Sequence, residues 1–350
     1  MSFLETAWHK KASWLIILWP LSLLFRILVA VRRKLSQRSS PPAYQNVPLI
    51  VIGNISVGGT GKTPLLIRLA QHFTELGFKP GIISRGYGGQ ATAYPMDVDV
   101  NSDVSQSGDE ALLIAEKTAC PVVVDPDRNR ALQHLLDSYE VDLVLSDDGL
   151  QHYKLYRDIE IAVVDAERLF GNGFCLPAGP LREPISRLLQ VDHVVVNGKA
   201  SGEGDESNEE KSPLPAQLSA ASSLQLDPRY LINLSTGEKR PFSGAPFNMG
   251  TTVQAISGLG NPQRFYELLA RLPYRLEVFS FPDHHAFTLS DLERRGIDAQ
   301  QPVVMTEKDA VKCREFAQGN YWMLSVDVRL EQEFLDKLTA QVKELSTSSR

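Results

Sequence analysis

The stretch that most constrains this chain is residues 49–76, "LIVIGNISVGGTGKTPLLIRLAQHFTEL". A β-branched run enters a turn containing Gly58, Gly59 and Gly61, and a helical pattern leaves it. Strand, glycine turn and helix in that order are the setting of a phosphate-binding loop of pattern G-x-x-x-x-G-K-[ST]. Gly61, Lys62 and Thr63 match the pattern, while Ser56 stands at its first glycine. Glycines let backbone N–H groups turn inward on an anion, and the helix start adds its positive end. A serine at position 56 is tolerated if it keeps a negative φ. The eight residues Ser56, Val57, Gly58, Gly59, Thr60, Gly61, Lys62 and Thr63 are therefore read as a nucleotide-phosphate cradle, against the alternative of a chance glycine-rich turn.

The rest of the chain supports that frame. Candidate strands at 80–86, 121–125, 141–147, 159–165 and 192–198 alternate with candidate helices at 63–76, 109–118 and 128–139. Apolar strands separated by helices predict a doubly wound parallel α/β sheet, with ligands gathered at the carboxyl ends of its strands. A second, smaller α/β unit is expected from about residue 252. The predicted organisation is an N-terminal helix over 1–35, a P-loop domain over 36–225, a hairpin linker over 226–245 turning at Thr236-Gly237, and a smaller domain over 246–350. "ASGEGDESNEEKSPLPAQ" (200–217) reads as a mobile insertion, because it has almost no large apolar residues to bury. The closing segment places Phe334, Leu335, Leu338 and Val342 on one helical face.

Composition excludes some classes. A net charge of -6 argues against a nucleic-acid binder. Three cysteines with no C-x-x-C pair fit a reducing compartment and no structural zinc. The amino terminus is different: Ser13 to Val31 is nearly continuous apolar sequence, followed by Arg32, Arg33 and Lys34. A signal peptide would have a small-residue cleavage site there. Pro20 and Arg26 argue against a spanning helix, since a mid-bilayer arginine costs at least about 2.5 kcal/mol. Tryptophans at 8, 14 and 19 favour a helix lying in the membrane interface. A buried core helix is the competing reading.

Further motifs fall at predicted strand ends. "LVLSDDGLQH" delivers Asp147 and Asp148 where a P-loop protein holds Mg2+, although paired aspartates are also ordinary turn chemistry. "QSGDEALL" puts Asp109 and Glu110 at a helix start, where acids are usually caps. "ISRGYGG" and "DPDRNRA" place Arg85 and Arg128 in loops suited to a second anionic group. The long loop "RLFGNGFCLPAGPLREP" ends in Arg182 and Glu183, and "FPDHHAF" carries His284 and His285.

Together "GNISVGGTGKTP", "SRGYGG", "GDEALL", "DPDR", "SDDGLQH", "GNGFCLPAGPLREP", "SGLGNP", "FPDHHAF" and "MTEKDAVKC" resemble the tetraacyldisaccharide 4'-kinase (lipid A 4'-kinase) family over most of the chain. The resemblance implies transfer of the γ-phosphate of ATP to the 4'-hydroxyl of a tetraacylated glucosamine disaccharide 1-phosphate, on the cytoplasmic face of the inner membrane. It implies Lys62 on the β- and γ-phosphates, and Thr63 with Asp147, Asp148 and Glu183 around Mg2+. Asp109 is then the base, supported by His284 with His285 as the alternative, and Arg85, Arg128 and Arg182 steady phosphates. The rival reading is a P-loop switch or partition ATPase at the membrane with no phosphate acceptor. Many of those carry a lysine where this chain has Val57, and no N-K-x-D guanine motif is completed by "VVVNGKA".

Overall fold

The computed structural model describes residues 3–36, 47–198, 218, 220–244, 246–298 and 300–348. The 200–217 insertion lies outside the described residues. Among these, thirteen strands form one sheet.

The first half is built as expected. Strands β1 (Leu49–Gly53), β2 (Pro80–Ser84), β4 (Val122–Val124), β5 (Leu143–Ser146), β6 (Ile159–Asp165) and β7 (His193–Asn197) run parallel in the order β7-β6-β1-β5-β2-β4, and short β3 (Met96–Val98) pairs antiparallel at the edge. Helices α3 (Lys62–Glu75), α5 (Asp109–Thr118) and α6 (Arg128–Ser138) follow β1, precede β4 and follow β4. Strands buried on both faces need no alternation, and β1, β2, β4 and β5 are buried at every position. β1 lies between β5 and β6, so the chain leaves it at a switch in strand order, where a crevice opens.

The second half contains β10 (Thr252–Ser257), β11 (Arg275–Ser280) and β12 (Val303–Thr306), also parallel to one another, with α9 (Glu307–Cys313) after β12. It is joined to the first half by a long antiparallel ribbon of β8 (Ser222–Asn233) and β13 (Tyr321–Leu330). The two predicted domains thus share one continuous sheet. The hairpin at Thr236-Gly237 forms as read, from β8 and β9 (Lys239–Pro241), with Gly237 at φ 71°. Pro228 interrupts the ribbon at a bulge, since it has no N–H to give the ladder.

Register determines where the two halves point. β7 runs parallel to the start of β8, with Asn197 opposite Leu224. β12 runs parallel to the start of β13, with Thr306 opposite Leu324, which in turn lies opposite Leu231. β8 and β13 run in opposite directions, so the carboxyl ends of the two half-sheets face each other along the ribbon. The stretch from Leu224 to Leu231 sets them about seven residues apart, roughly 23 Å at 3.3 Å per residue.

Two sequence expectations change. The closing helix α10 (Gln332–Ser348) was placed with the smaller domain. Its buried residues Phe334, Leu335, Leu338 and Val342 instead join the core of Leu65, Leu66, Leu69 and Phe73 on α3. The reason is the ribbon, because β13 carries the chain back to the first half before the helix begins. At the amino terminus, Pro20 does not interrupt α2 (Trp19–Ser36), because it occupies the first helical turn, where no N–H is needed. Ser13–Ser36 is long and apolar enough to cross a membrane, and only 11% of its 18-residue apolar window is buried. Ser22 fixes one side, donating to the Cys175 carbonyl at 2.8 Å and accepting from the Ala178 N–H at 2.9 Å.

Leu338→Ala should destabilise the protein by about 2–5 kcal/mol through an unfilled cavity. Urea denaturation checks this, and a loss below about 1 kcal/mol would mean that α10 only rests on the first core.

Candidate active site

The loop after β1 is held by neighbours on three sides. Gly61 has φ +94°, and a Cβ there would lie 2.3 Å from Asn197 Nδ2. That amide donates to the Thr60 carbonyl at 3.0 Å, from the end of β7. Arg168 donates to the Gly59 carbonyl at 3.2 Å, and the Val57 N–H donates to Pro180 O at 2.8 Å. Ser56 bridges to Leu181 in the 168–184 loop and is absent from the residues with positive φ, which satisfies the condition for a serine there. Lys62 opens α3, and its ammonium donates to Asn54 Oδ1 at 3.3 Å and pairs with Asp148 at 3.5 Å.

Asp147 and Asp148 end β5 in unlike surroundings. Asp148 takes a left-handed φ of 45°, which swings its carboxylate between Lys62 and Arg182, at 3.5 and 3.1 Å. Burial works against its charge, but those two cations outweigh burial and hold its carboxyl at about 2. Asp147 is 2% exposed and accepts from Ser84 Oγ at 3.0 Å through Oδ2. Its Oδ1 is buried without a hydrogen-bond partner. Burial first, then Glu110 and Asp148, push its carboxyl up to about 7, against Lys62 and Arg128. An orphaned carboxylate oxygen beside a P-loop lysine fits a cation or its water shell. Thr63 lies next to Lys62 at the start of α3, where a P-loop hydroxyl reaches such a cation.

Across the cleft, the loop after β11 brings His284 to Asp109 of α5, with Nδ1 3.1 Å from both carboxylate oxygens. This separates the two histidines. His285 stacks on Phe281 and pairs with Asp291 at 3.4 Å, inside its own half. His284 has φ 57° and packs against Tyr87 of the "RGYGG" loop, ring centroids 4.7 Å apart. The Asp109 carboxylate is thus engaged across the cleft, where a capping role would have kept it on its own helix. Burial opposes its ionisation, but the His284 hydrogen bond and Lys308 and Lys312 bring its pKa below the ordinary value. The loop after β10 also reaches the cradle, because a Cβ on Gly260 would lie 3.7 Å from the Gly59 nitrogen.

The predicted arginines divide. Arg182 lines the cleft beside Asp148. Arg85 is exposed at the end of β2, with no ion-pair partner among the described residues. Arg128 is 1% exposed and donates to the carbonyls of Asp125 and Asp147 at 2.9 and 3.0 Å. It braces the backbone under Asp147 and has no surface left for a phosphate, which corrects the expectation of a ligand arginine. Glu183 fastens the 168–184 loop to the "DDGLQH" turn: Oε1 accepts from Gln151 at 2.7 Å and Oε2 lies 3.4 Å from Arg187 Nε. Sequence reading missed Asn54, Asn197 and Lys308. Asn197 was in view only as a failed guanine motif.

A glycine cradle with its lysine, an acidic pair at the next strand end and a carboxylate–imidazole pair opposite define a P-loop phosphotransferase. A family model described as Tetraacyldisaccharide-1-P 4'-kinase matches residues 14–343. A tetraacyldisaccharide 4'-kinase of Hahella chejuensis is 43% identical, with 100% of this chain and 99% of that one covered. One of Legionella pneumophila is 44% identical over 95% of each. The solved structure of LpxK from Aquifex aeolicus in complex with ATP superposes with a TM-score of 0.71 at 27% identity, covering 95% of this chain and 99% of that one. The chain belongs to the tetraacyldisaccharide-1-P 4'-kinase family, which sets aside the switch or partition ATPase.

A carboxyl held at about 7 in the fold and near 3.9 in the unfolded chain is harder to ionise when folded. The nucleotide-free protein therefore loses stability from this group as pH rises from about 4 to 7. Asp147→Asn should melt higher than the parent at pH 8 without nucleotide. A lower melting temperature there would show that the ionised carboxylate stabilises the fold.

Proposed function

We propose that this chain transfers the γ-phosphate of ATP to the 4'-hydroxyl of a tetraacylated glucosamine disaccharide 1-phosphate, at the cytoplasmic face of the inner membrane. The observation that carries this reading is the Asp109–His284 pair, 3.1 Å apart, in which an imidazole from the second half meets a carboxylate of the P-loop half. A nucleotide switch needs no carboxylate there, whereas transfer to an alcohol needs a proton acceptor.

In this reading the amides of residues 58–63 and the Lys62 ammonium hold the ATP phosphates, with Lys62 leaving Asp148 to do so. Thr63, Asp147 and Asp148 would hold Mg2+, which when bound neutralises charge on the β- and γ-phosphates. Asp109 accepts the proton of the 4'-hydroxyl as its oxygen bonds to the γ-phosphorus and the bond to ADP breaks. His284 donates through Nδ1 to Asp109 and orients it. Arg182 and Arg85 take phosphate charge. Because Asp109 and His284 sit on opposite halves, closing residues 246–330 on the P-loop half completes the site and excludes water.

The acyl chains of such an acceptor keep it in a bilayer. Trp14, Ile16, Ile17, Leu21, Leu24 and Ile27 are exposed on the amino-terminal helix, while Ser22 and Leu15 face the protein. One apolar side outward and one docked side suit a helix lying in the interface, with Arg32 and Arg33 at headgroup level.

Purified protein with radiolabelled ATP, Mg2+ and the tetraacylated disaccharide 1-phosphate should give a labelled lipid. ATP loss without labelled lipid would overturn the proposal. Lys62→Ala should lower the rate by about a hundredfold or more. Asp109→Asn should lose about two orders of magnitude in kcat with nucleotide affinity unchanged. Ile17→Lys with Leu24→Lys should release the protein from anionic liposomes without lowering its melting temperature. Undiminished sedimentation with liposomes would place the membrane contact elsewhere.

A further inference from the structure

Lys308 and Lys312 stand beside the Asp109–His284 pair without a role so far. Lys308, in the first turn of α9, is turned inward with its side chain 14% exposed. Its ammonium is 2.9 Å from Glu110 Oε1, 3.4 Å from His284 Nε2 and 3.7 Å from Asp283 Oδ1. An ammonium has three protons and no lone pair, so it meets an imidazole nitrogen only as a donor. The nitrogen facing it must be bare. The groups around His284 are Asp109 from α5, Tyr87 from the loop after β2, Asp283 from its own loop and Lys308 from α9. Asp283, the one group that would favour a proton on Nε2, is 3.8 Å away, beyond hydrogen-bond reach.

We propose that Lys308 is a positioning residue that fixes His284 as the neutral Nδ1–H tautomer, so that the imidazole gives its proton to Asp109 and leaves Asp109 as the acceptor of the substrate proton. Glu110 and Asp283 hold the ammonium over Nε2. With that nitrogen covered, His284 cannot itself take the hydroxyl proton. Lys312 pairs with Asp109 Oδ2 at 3.6 Å and with Asp309 at 2.8 Å. It steadies the carboxylate from the same helix, one turn on.

Lys308 has a plainer possible role, as one of several ion pairs clasping α5 to α9. Lys117–Glu307 and Arg314–Glu116 are others, remote from the imidazole. A clasp would affect melting and leave the tautomer alone. The proposal rests on Asp109 being the base, and the test keeps the two apart.

Histidine is labelled with 15N in the full chain, and His284 is assigned by its loss in His284→Ala. Two-bond proton–nitrogen correlations should show Nδ1 protonated and Nε2 bare in the unaltered protein at neutral pH. In Lys308→Met the proton should spread to Nε2. The acid limb of kcat should move up, because a protonated Asp109 becomes easier to form once the Lys308 charge is gone. At neutral pH kcat should fall about tenfold with KM little changed, as expected for a loss felt only in the transition state. Lys308→Arg should restore most of this, and Lys117→Met should move neither the tautomer nor the profile. A proton on Nε2 in the unaltered protein overturns the proposal, and that measurement needs no variant to fold. So does a Lys308→Met enzyme that melts lower with its tautomer and pH profile unmoved. Full activity in Asp109→Asn would remove the base assignment instead, while the tautomer still reports directly on the Lys308 contact.

Discussion

The antiparallel ribbon of β8 and β13 is the constraint on which the rest of this structure depends. A parallel sheet gathers ligand-binding loops at one end only. Two parallel sheets joined edge to edge in the same direction would put both loop sets on one rim, side by side. Reversing the chain once, between Asn233 and Trp322, points the second set back at the first. The offset between Leu224 and Leu231 then leaves a gap of ligand size between them. Asp109 meets His284, and Gly260 approaches Gly59, because of that geometry. The same ribbon returns the chain to the first half, so α10 closes the core beneath α3.

Electrostatics within the cleft are set by burial acting differently on similar groups. Asp147 and Asp148 are adjacent, yet one is held up to about 7 and the other down to about 2. The left-handed backbone at Asp148 is the cause, since it turns that carboxylate toward Lys62 and Arg182 while Asp147 stays under the sheet. Lys62 is parked on Asp148, and Asp147 has an oxygen with nothing to bind. Between α5 and α9 the carboxylates are matched, with Lys308 and Lys312 against Glu110 and Asp109.

Much of this was legible in the sequence because it is local. Glycine spacing, strand-end aspartates and helix periodicity each depend on neighbours a few residues away, and the helix read at 109–118 is the helix observed. What depended on distant residues was not legible. "RLEVFS" reads as a strand-like run before "FPDHHAF", but its place as an exposed edge strand comes only from pairing with β10. Arg128 and Glu183 looked like ligands because their loops are loops of ligands. Their side chains turn inward, one to brace the backbone of Asp147 and the other to meet Arg187. In sequence His284 is preferred for following Asp283, with His285 as the alternative, and a φ of 57° at the first aims it out of its own half.

The amino-terminal helix is tied to this chemistry more closely than its composition reveals. Ser22 binds the backbone at Cys175 and Ala178, and Trp8 donates to the Pro177 carbonyl at 3.1 Å. Cys175 bridges to Leu181, and Leu181 bridges to Ser56 at the mouth of the cradle. Three short contacts, Ser22 to Cys175, Cys175 to Leu181 and Leu181 to Ser56, therefore run from the apolar helix to the loop that receives phosphate. None passes through a long flexible side chain, so little motion is lost between them. A helix attached by a linker would let the catalytic domain drift at any height above a surface. Here the face of the protein that receives α2 is held in a fixed relation to the loop that carries Lys62.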